Sequence, residues 1–435
     1  MTAEIAIINK MAVTLAADSA VTFGNGEQTK VYNSADKIFE GTNHDPIGVM
    51  VYNSPEINGV PVEVIVKMYR DRECPGHFSS VFDYAKALLA HIGAMDTPEV
   101  TSESNIRALT LQSIIGIKRA IAAIRNDLLK SASEQAPSSS VDDLNSGVDE
   151  QIDAILHRQI KRVEALKDQE WAKGITVQEV IAEHGECIRS WVTYLFADEA
   201  FSDHRREMMV QLLSWSLLKE YQRDQLTGLV FAGFGQNEIF PSLVSYEVYG
   251  KIAGRLKFCE GVRFDVDRKL DPESAIIPFA QKEMVERFMY GLDDEFLQIC
   301  HEYFDGSLSS LKDNLLETVS AENRAAVGVA IDSILEEFNN KVVPKHRDRL
   351  TSEFADLVRS MPKQELAALA ESLVHITSLK RKFSAGTESV GGPIDVAMIT
   401  RAEGLVWVKR KHYFDPALNS RFFSRRKSSG GVQGD

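Results

Sequence analysis

Cysteine is scarce in this chain, and its spacing excludes the usual cysteine-based sites. Four cysteines occur in 435 residues, and no two of them form a Cys-x-x-Cys pair. Scattered cysteines of this kind give neither a disulfide framework nor a zinc knot. We therefore predict free thiols and no bound metal at these positions, which are Cys74, Cys187, Cys259 and Cys300.

Long hydrophobic runs are also missing. No stretch approaches the ~20 consecutive apolar residues of a transmembrane helix. The first residues lack the basic region and apolar run of a secretory signal. The composition, 44% hydrophobic and 26% charged, is that of a globular protein. We expect a cytoplasmic protein with no membrane partner.

Positive charge is in the minority. The chain holds 49 lysines and arginines against 63 acidic residues, which gives a formal net charge of −14. Such a charge repels the phosphate backbone of nucleic acids. The dense basic cluster Arg425-Arg426-Lys427 lies in a Ser/Gly-rich tail. We predict no nucleic-acid partner.

Motifs for cofactors and metals are absent as well. Two glycine pairs, Gly24-Asn25-Gly26 and Gly233-Phe234-Gly235, lack the third glycine and the lysine of phosphate-binding loops. The histidines in helical patterns have no His-Glu-x-x-His spacing. We therefore predict neither a cofactor nor a metal, and these histidines, His157, His184 and His375, are expected to be solvated or packed.

The beginning of the chain carries the most informative pattern. Two apolar runs, residues 5–8 and 12–17, are separated by Asn9-Lys10. This pattern predicts a tight β-hairpin, which returns Asp18 to the start of the chain. Thr2 precedes the hairpin and Lys37 follows it. A threonine, a carboxylate and an ammonium in this order are the minimal set for N-terminal nucleophile chemistry.

A threonine hydroxyl is a weak nucleophile until a base removes its proton. A free α-amine, with a pKa of about 8, can act as that base near neutral pH. A nearby ammonium lowers the pKa of the amine and supports negative charge on the hydroxyl oxygen, while a carboxylate holds the ammonium in place. The chemistry requires that Met1 is removed, and the small side chain of Thr2 is compatible with that removal.

The ordered set of residues resembles the proteasome β-subunit family and its bacterial relative, the proteolytic chamber subunit of a two-component ATP-dependent protease. If Thr2 is the first mature residue, Leu-Ala-Ala-Asp-Ser at 15–19 falls in the register of the family. The resemblance implies that Asp18 and Lys37 are the active-site aspartate and lysine. Residues 19–36 form a longer loop than is usual in the family, which leaves Lys30 as an alternative to Lys37.

The same resemblance implies two substrate-binding positions and one departure. The backbone N–H of Asn53 matches the oxyanion position, and the backbone of Thr22 matches the residue that pairs with an extended peptide. Family members carry a serine in a Gly-Ser-Gly-like turn that here reads Pro278-Phe279-Ala280-Gln281. Near the other end, Glu388-Ser389-Val390-Gly391-Gly392 resembles the family motif Asp-x-x-Ser-Gly-Gly.

The implied fold class is α+β, a four-layer αββα sandwich of the N-terminal nucleophile (Ntn) hydrolase type with a large helical insertion. Apolar residues recur at helical spacing through two long segments between the strand patterns. The predicted parts are the first part of the core at 1–74, a mostly helical insertion at 75–225, core strands and a helix at 226–305, a second helical insertion at 306–362, the last helix and closing strands at 363–422, and a flexible tail at 423–435.

The implied function is threonine-type hydrolysis of a peptide or amide. Two alternatives stay open: a catalytically inactive proteasome-like scaffold or assembly subunit, and an Ntn amidase acting on small substrates. The family resemblance also implies a homo-oligomer, which in this family is a ring, and it leaves open whether an ATPase partner exists.

Overall fold

The computed structural model describes residues 3–23, 30–74, 76–134, 141–197, 201–222, 225–267, 272–292, 294–318, 323–383, 391–421 and 424. The proposed nucleophile Thr2 lies outside the described residues. Residues 24–26, 388–390 and 425–427, which figured in the sequence motifs, also lie outside them. The described residues form antiparallel sheets and α-helices.

Two five-stranded sheets make up most of the strand structure in the described residues. Sheet 1 has the strand order β12-β1-β2-β13-β14 and sheet 2 has the order β11-β10-β9-β6-β5, while β3 pairs with β4 and β7 pairs with β8. The strands are β1 Ala3–Ile8, β2 Ala12–Ala17, β3 Val21–Phe23, β4 Lys30–Tyr32, β5 Ile38–Glu40, β6 Ile47–Asn53, β7 Glu56–Ile57, β8 Val60–Pro61, β9 Thr227–Gly233, β10 Ser242–Ile252, β11 Arg255–Asp265, β12 Ala275–Ala280, β13 Asp395–Thr400 and β14 Gly404–Lys409.

The helices fall into one group after β8 and a second group after β12. They are α1 Val62–Met68, α2 Val81–Ala94, α3 Glu99–Glu134, α4 Val141–Glu164, α5 Val177–Leu195, α6 Asp203–Lys219, α7 Glu283–Tyr290, α8 Asp294–Thr318, α9 Arg324–Glu337, α10 Val343–Arg359 and α11 Lys363–Phe383.

The hairpin predicted at the beginning of the chain is confirmed. Strands β1 and β2 pair in antiparallel fashion, with Glu4 opposite Ala17. Asn9 closes the turn, because its Oδ1 accepts hydrogen bonds from the N–H groups of Met11 and Ala12 at 2.9 and 3.2 Å. Such local side-chain bonds favour turns over continued strand. The hairpin occupies the centre of sheet 1.

The two sheets pack face to face, and helices cover their outer faces. Apolar side chains of both sheets share one buried cluster, which includes Ala6, Ile8, Val13, Leu15, Met50, Val230 and Ala232. A second cluster joins the outer face of sheet 2 to α1 and α2. A third cluster joins the outer face of sheet 1 to α7, α10 and α11. Strands β1, β2, β9 and β13 are therefore buried along their whole length, with alternate side chains on the two faces.

The two groups of helices lie in different parts of the chain. Helices α2 to α6 occupy most of residues 75–225, and α3 to α6 extend the cluster between the sheets. Residues 305 and 306, between which the sequence analysis placed a boundary, both lie inside α8. The break lies at Gly291, whose φ of 65° ends α7 in the left-handed conformation that glycine adopts at low cost.

No helix of the described residues is both long enough and apolar enough to cross a membrane. Among the same residues, no group of three or more histidine, cysteine, aspartate or glutamate side chains could hold a metal ion.

Lys257 of β11 ties sheet 2 to the end of α6. Its side chain is fully buried, and Nζ donates to the carbonyl oxygens of Leu217 and Glu220 at 2.8 and 2.5 Å. The same Nζ lies 5.4 Å from the ring centroids of Tyr221 and Tyr249. Burial lowers the pKa of Lys257 to about 7.

Because of this lowered pKa, the contribution of Lys257 to stability should depend on pH. The unfolded chain, with an ordinary lysine pKa of 10.5, binds more protons than the folded chain between pH 7 and 10.5. Stability relative to Lys257→Met should therefore rise with pH through that window. Urea unfolding at closely spaced pH values measures the difference. A difference that does not change with pH would contradict the assignment.

Candidate active site

Asp18 lies where the hairpin returns to the start of β1. Its backbone N–H donates to the carbonyl oxygen of Ala3 at 3.1 Å. Its Oδ1 accepts a hydrogen bond from the N–H of Ala3 at 3.1 Å. The structure therefore places Asp18 beside the residue that directly follows Thr2, as the hairpin pattern predicted.

Lys37 directly precedes β5, and its side chain contacts Asp18. Its Nζ lies 2.5 Å from Oδ1 of Asp18 and 3.0 Å from Oε1 of Glu4. All three residues are buried, with at most 4% of each exposed. Lys30, the alternative lysine, is exposed on β4. The structure thus brings together Asp18 and Lys37 and leaves Lys30 at the surface.

Glu4 is a member of this cluster that the sequence analysis missed. In β1, Ala3, Ile5 and Ile7 face the outer helices, whereas Ala6 and Ile8 face sheet 2. Glu4 shares the inward face because side chains alternate along a strand. A buried carboxylate is costly unless it is paired, and Lys37 provides the pairing charge. The available signal was an acidic residue inside an otherwise apolar strand.

The segment after α11 holds Asp18 from the other side. The N–H of Gly391 donates to Oδ2 of Asp18 at 2.9 Å, and the N–H of Ala20 donates to the same oxygen at 3.3 Å. Gly392 has a φ of 78°, and a Cβ there would lie 2.8 Å from Cβ of Asn33. Gly392, the second glycine of the pair identified in the sequence, therefore makes a close approach that a side chain would block.

The two predicted substrate-binding positions lie on separate strands. Asn53 ends β6 opposite Thr227, with a φ of 63° that is uncommon for residues other than glycine. Thr22 lies in β3 opposite Val31 of β4. Among the described residues β3 pairs only with β4, so its second edge carries no strand.

A cleft of about 950 Å³ adjoins the start of β1. Its near wall contains Asn53 of β6 and Ala280 of β12, and Ala280 pairs with Ala3. Its far wall contains Glu247 of β10. The cleft therefore lies beside the first residue of β1, Ala3.

Gln281 stands next to the position where the family resemblance expects a serine. Its Oε1 accepts a hydrogen bond from Nε of Arg381 at 2.7 Å. Because arginine can only donate, this bond fixes the orientation of the amide. The buried Nε2 of Gln281 finds no acceptor among the described residues, although Gln281 lines the cleft.

Comparison with protein-family models gives no match, and comparison with curated proteins gives no significant match.

Proposed function

We propose that this chain is a threonine-type Ntn hydrolase that cleaves peptide or amide bonds, with Thr2 as the nucleophile after removal of Met1. The observation that carries the proposal is the buried pair of Lys37 and Asp18 beside the backbone of Ala3. In solvent, an ion pair between a lysine and an aspartate contributes little to stability. A buried lysine next to the start of the chain has a chemical use in N-terminal nucleophile catalysis.

The packing of the layers supports the same proposal. Two antiparallel sheets lie face to face, with helices on both outer faces. We assign this arrangement to the αββα sandwich of the Ntn hydrolases, with α3 to α6 and α8 to α9 as additional helices. Ala3 of the hairpin in the middle of sheet 1 lies opposite Ala280, which lines the cleft.

In the proposed reaction, Oγ of Thr2 attacks the substrate carbonyl carbon while its proton passes to the neutral α-amine. The C–N bond of the substrate then breaks, and the protonated α-amine returns the proton to the leaving nitrogen. Water attacks the resulting ester, which releases the acid and regenerates the hydroxyl of Thr2. Lys37 stabilises negative charge on Oγ, and Asp18 fixes Lys37.

Asn53 is proposed to stabilise the tetrahedral intermediate through its backbone N–H. It lies at the mouth of the cleft on the strand next to β9, and its left-handed conformation is of the kind found at functional sites. Thr22 is proposed to bind an extended substrate along the second edge of β3. A small amide would need the cleft alone, so both substrate classes fit.

The test combines intact mass with labelling by an electrophile that reacts with an N-terminal threonine. We expect the purified chain to lack Met1, because the mechanism requires the free amine of Thr2. We also expect one label, located by peptide mapping on Thr2. Retention of Met1, or acetylation of Thr2 in the native host, would reject the hydrolase in favour of an inactive scaffold with the same fold.

A further inference from the structure

The far wall of the cleft carries a carboxylate whose hydrogen-bond donors are neutral. Oε2 of Glu247 accepts from Oη of Tyr249 at 2.8 Å and from Sγ of Cys259 at 3.6 Å. No ion pair joins Glu247 to a lysine or arginine of the described residues. Two further charged residues line the cleft, namely the exposed Lys282 and the half-buried Glu283. The carboxylate of Glu247 can therefore accept a further hydrogen bond from a cation.

Strand register places Glu247 in line with the proposed reaction centre. Glu247 of β10 lies opposite Gly228 of β9, which lies opposite Tyr52 of β6. Two strand spacings, about 10 Å, separate the backbones of Glu247 and Tyr52. The ring of Tyr52 lies across Gly228, because a Cβ on Gly228 would fall 2.0 Å from Cζ of Tyr52. The ring of Tyr52 therefore occupies the space that a side chain at position 228 would take.

Aromatic rings surround this path. Tyr52 stacks on Phe279 with 5.3 Å between ring centroids, and Tyr221 lies 5.2 Å from Tyr249. All four residues line the cleft. Aromatic faces attract ammonium and guanidinium groups, and the attraction increases when water is excluded.

Burial is the main cause that raises the pKa values of groups in the cleft, and the charge of Glu247 adds to it. Burial raises the pKa of Cys259 to about 11, and the charge of Glu247 is the second cause of that rise. Burial raises the pKa of Tyr221 to about 12, and Cys259 and Glu247 add to that rise. Burial and Glu247 also raise the pKa of Tyr52. Lys257, which does not line the cleft, acts in the opposite direction on the pKa of Cys259.

We propose that Glu247, together with the surrounding tyrosines, binds a cationic side chain of the substrate, so that the protein cleaves the amide bond next to lysine or arginine. The predicted cleavage rests on the proposed hydrolase activity. The predicted binding rests only on the residues that line the cleft. A lysine or arginine side chain has the length and charge to extend from the mouth of the cleft toward Glu247. Its charged end would gain a charge-assisted hydrogen bond at that point.

The cleavage test compares two aminocoumarin substrates that differ by one charge, acetyl-lysine and acetyl-norleucine. We expect the wild-type protein to prefer lysine in kcat/KM. Glu247→Gln should lower that preference about 10- to 100-fold, the size of a hydrogen bond to a charged group. The ratio of the two substrates is independent of the fraction of active protein. Glu260→Gln, which removes an exposed charge from β11, should keep the wild-type ratio.

A binding test separates the pocket from the chemistry. N-acetyl-lysine methylamide is titrated into Thr2→Ala and into Thr2→Ala combined with Glu247→Gln, with NMR line broadening as the readout. Binding to the first and not to the second supports the cation site, even if no substrate is hydrolysed and the hydrolase proposal fails. Equal binding, or binding to neither, overturns the cation site. Equal cleavage of both substrates by the wild type also overturns it, while labelling at Thr2 would leave the hydrolase standing.

Discussion

Lys37→Met should lower the free energy of unfolding by about 3–5 kcal/mol, the usual cost of leaving a buried charge without its partner. Glu4 and Asp18 both contact Nζ of Lys37 and are almost completely buried. Methionine fills a similar volume but cannot pair with either carboxylate. Urea unfolding followed by circular dichroism measures the change at neutral pH.

The double variant Lys37→Met with Glu4→Gln should recover part of that loss, since it removes one of the two unpaired carboxylates. The matched control is Lys30→Met, which replaces an exposed lysine on β4 and should change stability by about 0.5 kcal/mol at most. A change for Lys37→Met as small as that of the control would show that Lys37 is not part of a buried ion cluster.

The first hairpin could be predicted from the sequence because its determinants are local. Apolar residues flank Asn9, and the side chain of Asn9 makes the turn bonds itself. The return of Asp18 to Ala3 follows directly from this hairpin. The helices followed from a similar local signal, the helical spacing of apolar residues.

The choice between Lys30 and Lys37 could not be made from the residues alone. Both follow the hairpin across a loop, and their chemical capacity is the same. The two lysines differ in burial. Lys30 is exposed on β4, whereas Lys37 directly precedes β5 and is buried against Asp18. That difference is set by the packing of sheet 2 on sheet 1, which involves residues far apart in the chain.

Contacts between distant parts of the chain determine the positions of Glu4, Glu247 and Gly391. Glu247 reaches the cleft because β10, β9 and β6 pair in a register that links residues almost two hundred positions apart. Gly391 reaches Asp18 across 373 positions. No local periodicity indicates such contacts. For Glu4 a local signal existed, since a charge inside a buried strand requires a partner.

Thr2, Asp18 and Lys37 are expected to act as one unit in labelling by an N-terminal-threonine-directed electrophile. Thr2→Ala removes the nucleophile. Lys37→Ala leaves the α-amine more basic and the charge on Oγ without support, and Asp18→Asn releases Lys37 from its 2.5 Å contact. Each single change should therefore abolish labelling, and combining Lys37→Ala with Asp18→Asn should cost no more than either alone.

The measurement is the rate of label incorporation at Thr2, followed by intact mass, with circular dichroism to show that each variant is folded. Lys30→Ala is the matched control, because it removes a lysine that lies exposed on β4 and has no contact with Asp18 among the described residues. Its labelling rate should equal that of the wild type. Labelling that persists in Thr2→Ala would exclude Thr2 as the nucleophile. Labelling that fails in Lys30→Ala but survives in Lys37→Ala would show that the buried lysine is structural, and that the longer loop brings the other lysine into the reaction.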